Sequence, residues 1–284
     1  MQERLKIAVQ KSGRLTEKSI ELLGRCGLKF DLNNQRLIAV CDNYPVNLLF
    51  LRDDDIPEYV ADGIADLGIV GLNVLKEHAV EVPILRKLGF GRCRLMLAVP
   101  TAAAYTGLEW FQGKTVATSY PHLTGQFLAS HGIEAHLVTI SGSVEISTGL
   151  GLSDAICDLV STGSTLLSNG LKAVETVLES ESVLVAHPTK ANHPLVEELL
   201  FRISSVYNAE STKYILLNVE ESNIAAIREL LPGVKAPTVV PLAEPGWVAI
   251  HSVIPEKDFW ERIQALKAAG AQGILVMPIE KLLV

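Results

Sequence analysis

An α/β fold with a separate split βαβ unit at its C-terminal end is predicted by two patterns in the sequence. Short apolar runs alternate with helix-period segments through most of the chain, which implies crossover units and largely parallel sheets. The last part switches to the order strand, helix, strand, strand, helix, strand, the ferredoxin-like arrangement. With 284 residues the chain is too long for one small core and suits two or three domains.

From the N-terminus, the apolar run LKIAVQ predicts a strand over 5–10, and the helical pattern over 16–27 stops at Gly27. RLIAV and VNLLFL give strands at 36–40 and 46–51, and 56–63 is a helix stopped by Gly63. Strands follow at 66–70, 94–99, 115–118, 136–140 and 156–160, with helices at 122–132 and 144–150 between the later ones. Beyond these, 213–219 is a strand and 223–231 a helix that Pro232-Gly233 ends. Strands at 238–242 and 247–253 flank the turn Ala243-Glu244-Pro245-Gly246. A helix over 258–269, with Asp258 as candidate N-cap and Gly270 as its stop, precedes a final strand at 274–278. The small domain thus begins near residue 211, and Val206-Tyr207-Asn208-Ala209 is the best candidate boundary.

Apolar residues make up 48% of the chain and charged residues 20%, the balance of a soluble globular protein. No apolar run approaches the ~20 residues that span a bilayer. Charges interrupt MQERLKIAVQKSGR before any signal-peptide core forms, so a cytoplasmic protein is expected. A net charge of −7 argues against a general nucleic-acid surface but leaves room for a local basic pocket. Cys26, Cys41, Cys93 and Cys157 are dispersed, without a CxxC pair, and are expected to be reduced packing residues. His187 and His193 fit no common zinc spacing.

The stretch DLVSTGSTL at Asp158–Leu166 carries the most chemistry. A strand that ends in Ser161-Thr162-Gly163-Ser164-Thr165 and turns into a helix points bare backbone N–H groups, hydroxyls and a helix dipole at one place. That is sufficient to cradle a monophosphate. A strand-to-helix turn with a Ser or Thr N-cap accounts for the same residues. Asp158 repels phosphate but suits sugar hydroxyls or a phosphate-bound Mg²⁺. The segment is not a Walker loop, and no GxGxxG fingerprint occurs.

DLVSTGSTL resembles the phosphoribosyl-pyrophosphate (PRPP) loop of ATP phosphoribosyltransferase, the family that opens histidine biosynthesis. QKSGRL at 10–15, RDDDIP at 52–57, DLGIVG at 66–71, GRCRL at 91–95, ATSYPHL at 117–123 and GSVE at 142–145 resemble its other motifs in order. PTVVPL at 237–242 and ILVMPIEK at 274–281 resemble the regulatory end of its long form. The resemblance covers essentially the whole chain. It implies a catalytic part of two lobes like the periplasmic binding proteins, with lobe I over 1–92 and again 180–210, lobe II over 93–179, and the regulatory domain over 211–284. It implies transfer of the phosphoribosyl group of PRPP to N1 of ATP, with Mg²⁺ as cofactor and pyrophosphate as second product. It also implies feedback inhibition by histidine and a homo-oligomer, dimer or hexamer, with neither nucleic acid nor membrane as partner.

Carried over residue by residue, the resemblance assigns Ser161, Thr162, Gly163, Ser164 and Thr165 to the 5′-phosphate and Asp158 to the ribose. Glu145 is assigned to the ribose, to Mg²⁺ or to both, and Asp158 is a further metal candidate. Lys11, Arg14 and Arg94 are candidates for phosphate groups; Arg92 lies beside Arg94 in the same motif. Tyr120 either borders the nucleotide or packs. Asp53, Asp54 and Asp55 serve either a helix start or a site, and Asp66 either faces the cleft or caps a turn. Thr238 and Gly273, with Val253 as a weaker match, are the effector candidates. Two other readings compete: a non-catalytic small-molecule binder of the same two-lobed fold, which should carry an export signal or a DNA-binding helix-turn-helix, and a free-base phosphoribosyltransferase, whose paired acids before the loop are absent because Leu159 follows Asp158.

Overall fold

The computed structural model describes residues 4–32, 37–161 and 163–283. The described residues fall into two compact units, one made of those in 4–24 and 28–193, the other of those in 25–27 and 194–283.

The larger unit opens with β1 (Leu5–Gln10), α1 (Arg14–Arg25), β2 (Ile38–Val40), β3 (Val46–Leu51), α2 (Ile56–Ala61), β4 (Leu67–Gly71), α3 (Leu72–Glu77) and β5 (Ile84–Lys87). It crosses into β6 (Cys93–Pro100), β7 (Thr115–Thr118), α4 (Pro121–Ser130), β8 (His136–Thr139), β9 (Ala155–Val160), α5 (Ser164–Ser168) and β10 (Leu171–Ser180), and returns through β11 (Ser182–Ala186). Two sheets result, ordered β2-β3-β1-β4-β11-β5 and β10-β6-β9-β7-β8. In each, a strand that has crossed from the other lobe is inserted between the last two native strands in chain order: β11 between β4 and β5, and β6 between β9 and β10. This is the two-lobed, periplasmic-binding-protein-like order.

The sheets are mixed rather than largely parallel. β1 runs parallel to β3 and β4, and β7 to β8 and β9, whereas β6, β10 and β11 pair antiparallel with their neighbours. A strand arriving from the other lobe enters its host sheet from the opposite end, which reverses its direction. β1 and β4 are buried almost throughout, as central parallel strands covered on both faces must be. Leu95, Leu97, Val99, Val116 and Ala155 form the corresponding centre of the second lobe around Phe111.

The smaller unit begins with α6 (Pro194–Glu210), so the expected boundary at 206–209 lies inside a helix. Its buried Val196, Leu199, Ile203 and Val206 recur at three- and four-residue steps and hold that helix together. Then come β12 (Thr212–Glu220), α7 (Ile224–Leu230), β13 (Thr238–Pro241), β14 (Trp247–Pro255), α8 (Glu256–Ala268) and β15 (Gln272–Pro278). The antiparallel order β13-β14-β12-β15 is that of a ferredoxin-like sheet. Ile215, Leu217, Val219, Val248 and Ile250 bury one face against Ile227, Leu231 and Leu266. The other face leaves Val240, Leu275 and Met277 exposed.

Two local expectations are corrected. The predicted helix at 144–150 is a single 3₁₀ turn, Val144–Ile146, led by Ser143 in a left-handed conformation. There the Ser147 hydroxyl donates to the Val144 carbonyl and bonds Ser153, offering the chain an alternative to helix. The last helix starts at Glu256, two residues before Asp258, whose carboxylate instead pairs with Arg262 one turn on.

Candidate functional site

The parallel strands of both sheets end on the sequence motifs. β1 runs into Lys11 and Arg14, β3 into Arg52 and Asp53, and β4 into Asn73; β7 runs into Tyr120, β8 toward Glu145, and β9 into Ser161. In open α/β sheets, ligands bind in the crevice outside the carboxyl ends of the strands. Nearly all the catalytic-part candidates therefore lie at the ligand-binding ends of their sheets.

At the end of β9 the chain leaves Val160 through Ser161 and reaches α5 by way of Gly163, the helix N-cap, at φ 80°. Only glycine adopts that angle without strain, so the glycine is conformational here. Its lack of a side chain also means that the expected Ser or Thr cap is absent. Ser161, Ser164 and Thr165 are exposed, and Thr162 lies outside the described residues. Asp158, on β9, accepts the Leu159 N–H at 2.7 Å. Burial raises its carboxyl above the usual range, the Leu159 bond opposes this, and the nearby Glu145 charge raises it further. The strand and the 3₁₀ turn thus bring Asp158 and Glu145 into one field.

Beside the loop, a cavity of about 390 Å³ is lined by Lys87, Arg92, Cys93, Arg94, Val160, Ser161 and the segment Glu179–Glu181. Arg94 is held opposite Val160 by the β6–β9 register, which puts a guanidinium next to the hydroxyl loop. Lys87 is engaged by Glu181 at 3.6 Å. Lys11, Arg14, Arg92 and Arg94 form no ion pair with any described residue. Cationic groups left without carboxylates at strand ends suit a multiply charged anion.

A second cavity, about 550 Å³, is lined by Asp54, Val74, Glu77, His78, Ser119, Tyr120 and the segment Thr139–Gly142. Tyr120 precedes α4 and its hydroxyl accepts from Asn73 Nδ2 at 3.0 Å. Asp53 keeps a buried Oδ1 without a hydrogen-bond partner. Burial, then the neighbouring Asp54, push its carboxyl up to about 6, with His78 opposing. Asp66, by contrast, sits at the opposite end of β4. It accepts the Lys6 N–H at 2.8 Å and meets Lys190 at 3.8 Å, so it ties strand starts together. Among the described residues no cluster of three or more His, Cys, Asp or Glu side chains is placed to hold a metal. His187 instead accepts from the Thr189 N–H within its own turn.

With this geometry in view, a family model described as ATP phosphoribosyltransferase matches residues 52–205, and one described as the HisG C-terminal domain matches 209–281. The chain belongs to the ATP phosphoribosyltransferase family. It is 54% identical over 280 residues to the ATP phosphoribosyltransferase of Cytophaga hutchinsonii, covering 98% of both chains. It is 49% identical over 282 residues to that of Bacteroides thetaiotaomicron, covering 99% of this chain and all of the other. Among solved structures, a chain of the ATP phosphoribosyl transferase (HisG:HisZ) complex from Thermotoga maritima superposes with a TM-score of 0.61 at 27% identity, over 70% of this chain and 98% of that one. The C-terminal match makes this the long form. The chain is therefore a phosphoribosyl-transferring enzyme of the glycosyltransferase type, at the first step of histidine biosynthesis.

The three effector candidates of this ATP phosphoribosyltransferase fall on the sheet face away from α7 and α8. Thr238 pairs with His251, and Val253 with Tyr214, while Gly273 lies by Asn218 at an irregularity in the β12–β15 ladder. Thr238 and Gly273 are on opposite edge strands, about 14 Å apart at normal strand spacing. That is farther than one free amino acid reaches. Sequence reasoning missed a polar pair on this face, Tyr214 Oη and His251 Nδ1 at 2.6 Å. It also missed Asn73, Glu77 and Ser180, whose roles depend on contacts remote in sequence.

Proposed function

We propose that the chain transfers the phosphoribosyl group of PRPP to N1 of ATP, releasing pyrophosphate, under feedback inhibition by histidine. The observation that carries the reading is the convergence of the hydroxyl loop, the Asp158–Glu145 pair and unpaired cations at the carboxyl ends of the parallel strands. In this reading the loop 161–165 holds the 5′-phosphate, Asp158 accepts from the ribose hydroxyls, and Glu145 orients the same sugar. Lys11, Arg14 and Arg94 receive the phosphates of the nucleotide or of the departing pyrophosphate, and Tyr120 borders the reacting centre.

The N1 lone pair of adenine attacks C1 of the ribose as the bond to pyrophosphate oxygen breaks, and pyrophosphate leaves with that electron pair. N1 needs no proton removed beforehand, so the protein's contribution is positioning and charge stabilisation. Two carboxylates without a third protein ligand fit Mg²⁺ held partly by substrate oxygens. Glu145 and Asp158 would hold such an ion, and its chemistry there would be to screen the charge of the leaving group. No described helix is long and apolar enough to cross a membrane, in keeping with a cytoplasmic biosynthetic role. The division of labour follows the sheets: two lobes for the reaction, the ferredoxin-like domain for regulation.

Purified protein supplied with PRPP, Mg²⁺ and ATP should yield a new absorbing product and one pyrophosphate per turnover. Thr165→Val removes a single phosphate donor and should raise the apparent KM for PRPP about tenfold, with that for ATP nearly unchanged. An unaltered PRPP dependence would remove Thr165 from the phosphate site.

Regulation rests on the open face of the ferredoxin-like sheet. Because Thr238 and Gly273 are too far apart within one chain, histidine would bind where two copies bring complementary edges together. This makes oligomerisation, as dimer or hexamer, part of the effector site. Thr238→Val should weaken histidine inhibition about tenfold while uninhibited turnover stays within about twofold. Equal inhibition of the variant and the parent would take Thr238 out of the effector site.

A further inference from the structure

The short helix α3, in the first lobe, makes two polar attachments to the start of α4 in the second. Glu77 Oε1 accepts the His122 N–H at 2.8 Å and its Oε2 accepts the Leu123 N–H at 3.0 Å. Pro121, the first residue of α4, has no N–H, and the Thr124 N–H already donates to the Tyr120 carbonyl at 3.0 Å. The first turn of α4 is thus satisfied by a carboxylate from the other lobe. Its N-terminus is not left open to a phosphate.

One turn earlier on α3, Asn73 is 5% exposed and bonds through its backbone N–H and both ends of its side-chain amide. Its backbone N–H donates to Ser180 Oγ at 3.0 Å, and the Ser180 hydroxyl donates back to Asn73 Oδ1 at 2.8 Å. That exchange fixes the amide's orientation, because only the oxygen can receive the serine proton. The amide nitrogen therefore faces Tyr120 and donates to its hydroxyl. Gly71 makes room for this arrangement: a β-carbon there would stand 2.5 Å from Asn73 Oδ1. With its acceptor side occupied, Tyr120 retains one O–H proton, and no described residue accepts it. The β7–β9 register sets Thr118 opposite Cys157, so Tyr120 and Asp158 lie at the same end of neighbouring strands, and the Asp158 charge acts on the phenol.

We propose that Asn73 is a positioning residue that sets the polarity of the Tyr120 hydroxyl, so that the phenol presents its proton to a ribose oxygen of PRPP, while Glu77 clamps the two lobes at the distance this requires. This deepens the phosphoribosyl-transfer reading and rests on it. Tyr120 is favoured as a donor to the sugar because it shares its surroundings with Asp158, the candidate acceptor for the same sugar. The buried chain Ser180–Asn73–Tyr120 runs from a lobe crossover to the cleft wall, so it couples the hydroxyl's direction to the seating of the lobes.

The discriminating variant is Asn73→Asp. It keeps the shape and still accepts from Ser180, but it presents an acceptor to Tyr120 and so captures the phenolic proton. A buried carboxylate carries its own desolvation penalty, so Asn73→Ala is measured beside it. Each should raise the KM for PRPP about tenfold and leave that for ATP within about twofold. In a Tyr120→Phe background, with no hydroxyl left to orient, the same substitutions should change the KM for PRPP by less than about twofold. Equal losses in both backgrounds, or a rise confined to ATP, would overturn the proposal. In ligand-free protein carrying ¹³C-labelled tyrosine, the Tyr120 ring signal should move on Asn73→Ala. If the parent enzyme showed no phosphoribosyl transfer, the functional reading would fail, whereas an unmoved tyrosine signal in an active enzyme would defeat the positioning role alone.

Discussion

Asp158→Asn is expected to lower kcat/KM for PRPP by about a hundredfold or more without unfolding the protein. An ionised carboxylate that accepts from two ribose hydroxyls makes two charge-assisted bonds, each worth roughly 1.5–3 kcal/mol. Asparagine keeps the shape and can still accept the Leu159 N–H that now holds the carboxylate. It also removes the repulsion from Glu145 that helps raise the Asp158 carboxyl. Thermal unfolding should consequently stay within a few degrees of the parent, so lost activity reports on chemistry. Because N1 of adenine needs no base, the loss should be the same at pH 7.5 as at pH 9. A deficit that shrank as pH rose would mean that Asp158 takes up a proton during turnover, and the ribose role would have to give way to general base catalysis.

What the sequence disclosed depended on how local each interaction is. The ferredoxin-like order was legible because each of its elements carries its own period and its own stop, such as Pro232-Gly233 after α7. The hydroxyl loop was legible because its residues are contiguous. The reversal of β6 and β11 was not, since strand direction is decided by which lobe the chain has just left. β5, β10 and β11 were missed altogether as strands: charged residues break LKAVETVLES, and its burial alternates irregularly where the β6–β10 register slips twice. The α3 contacts were invisible for a related reason. α3 has six residues, too few for a periodic signal, and Asn73 meets its partners Tyr120 and Ser180 across 47 and 107 positions of chain.

Asp53 left two roles open in the sequence, a helix start or a site, and its surroundings lead to a stability prediction with a definite sign. Asp53 begins a 3₁₀ turn ahead of α2, yet its buried Oδ1 meets no donor and its carboxyl is raised from 3.8 to about 6. An acid with a raised folded-state pKa binds more protons in the native than in the unfolded chain between those two values. Stability from this group therefore falls as pH climbs from about 4 to about 6 and stays at its lower level above that. The full shift corresponds to at most about 3 kcal/mol. An asparagine amide would itself lack some partners, which offsets part of the gain. Asp53→Asn should thus be more stable than the parent by about 1–2 kcal/mol at pH 7.5, seen as a melting point a few degrees higher, and the advantage should vanish near pH 4. The adjacent Asp54 lines the second cavity, and a carboxylate kept at such a cost beside a cleft is one that a ligand is expected to satisfy. The same variant should then bind its substrates more weakly even as it melts higher. If Asp53→Asn were less stable than the parent at pH 7.5, or if its advantage were as large at pH 4, the carboxylate would be a structural part of the helix start, with its proton held no more tightly than in the unfolded chain.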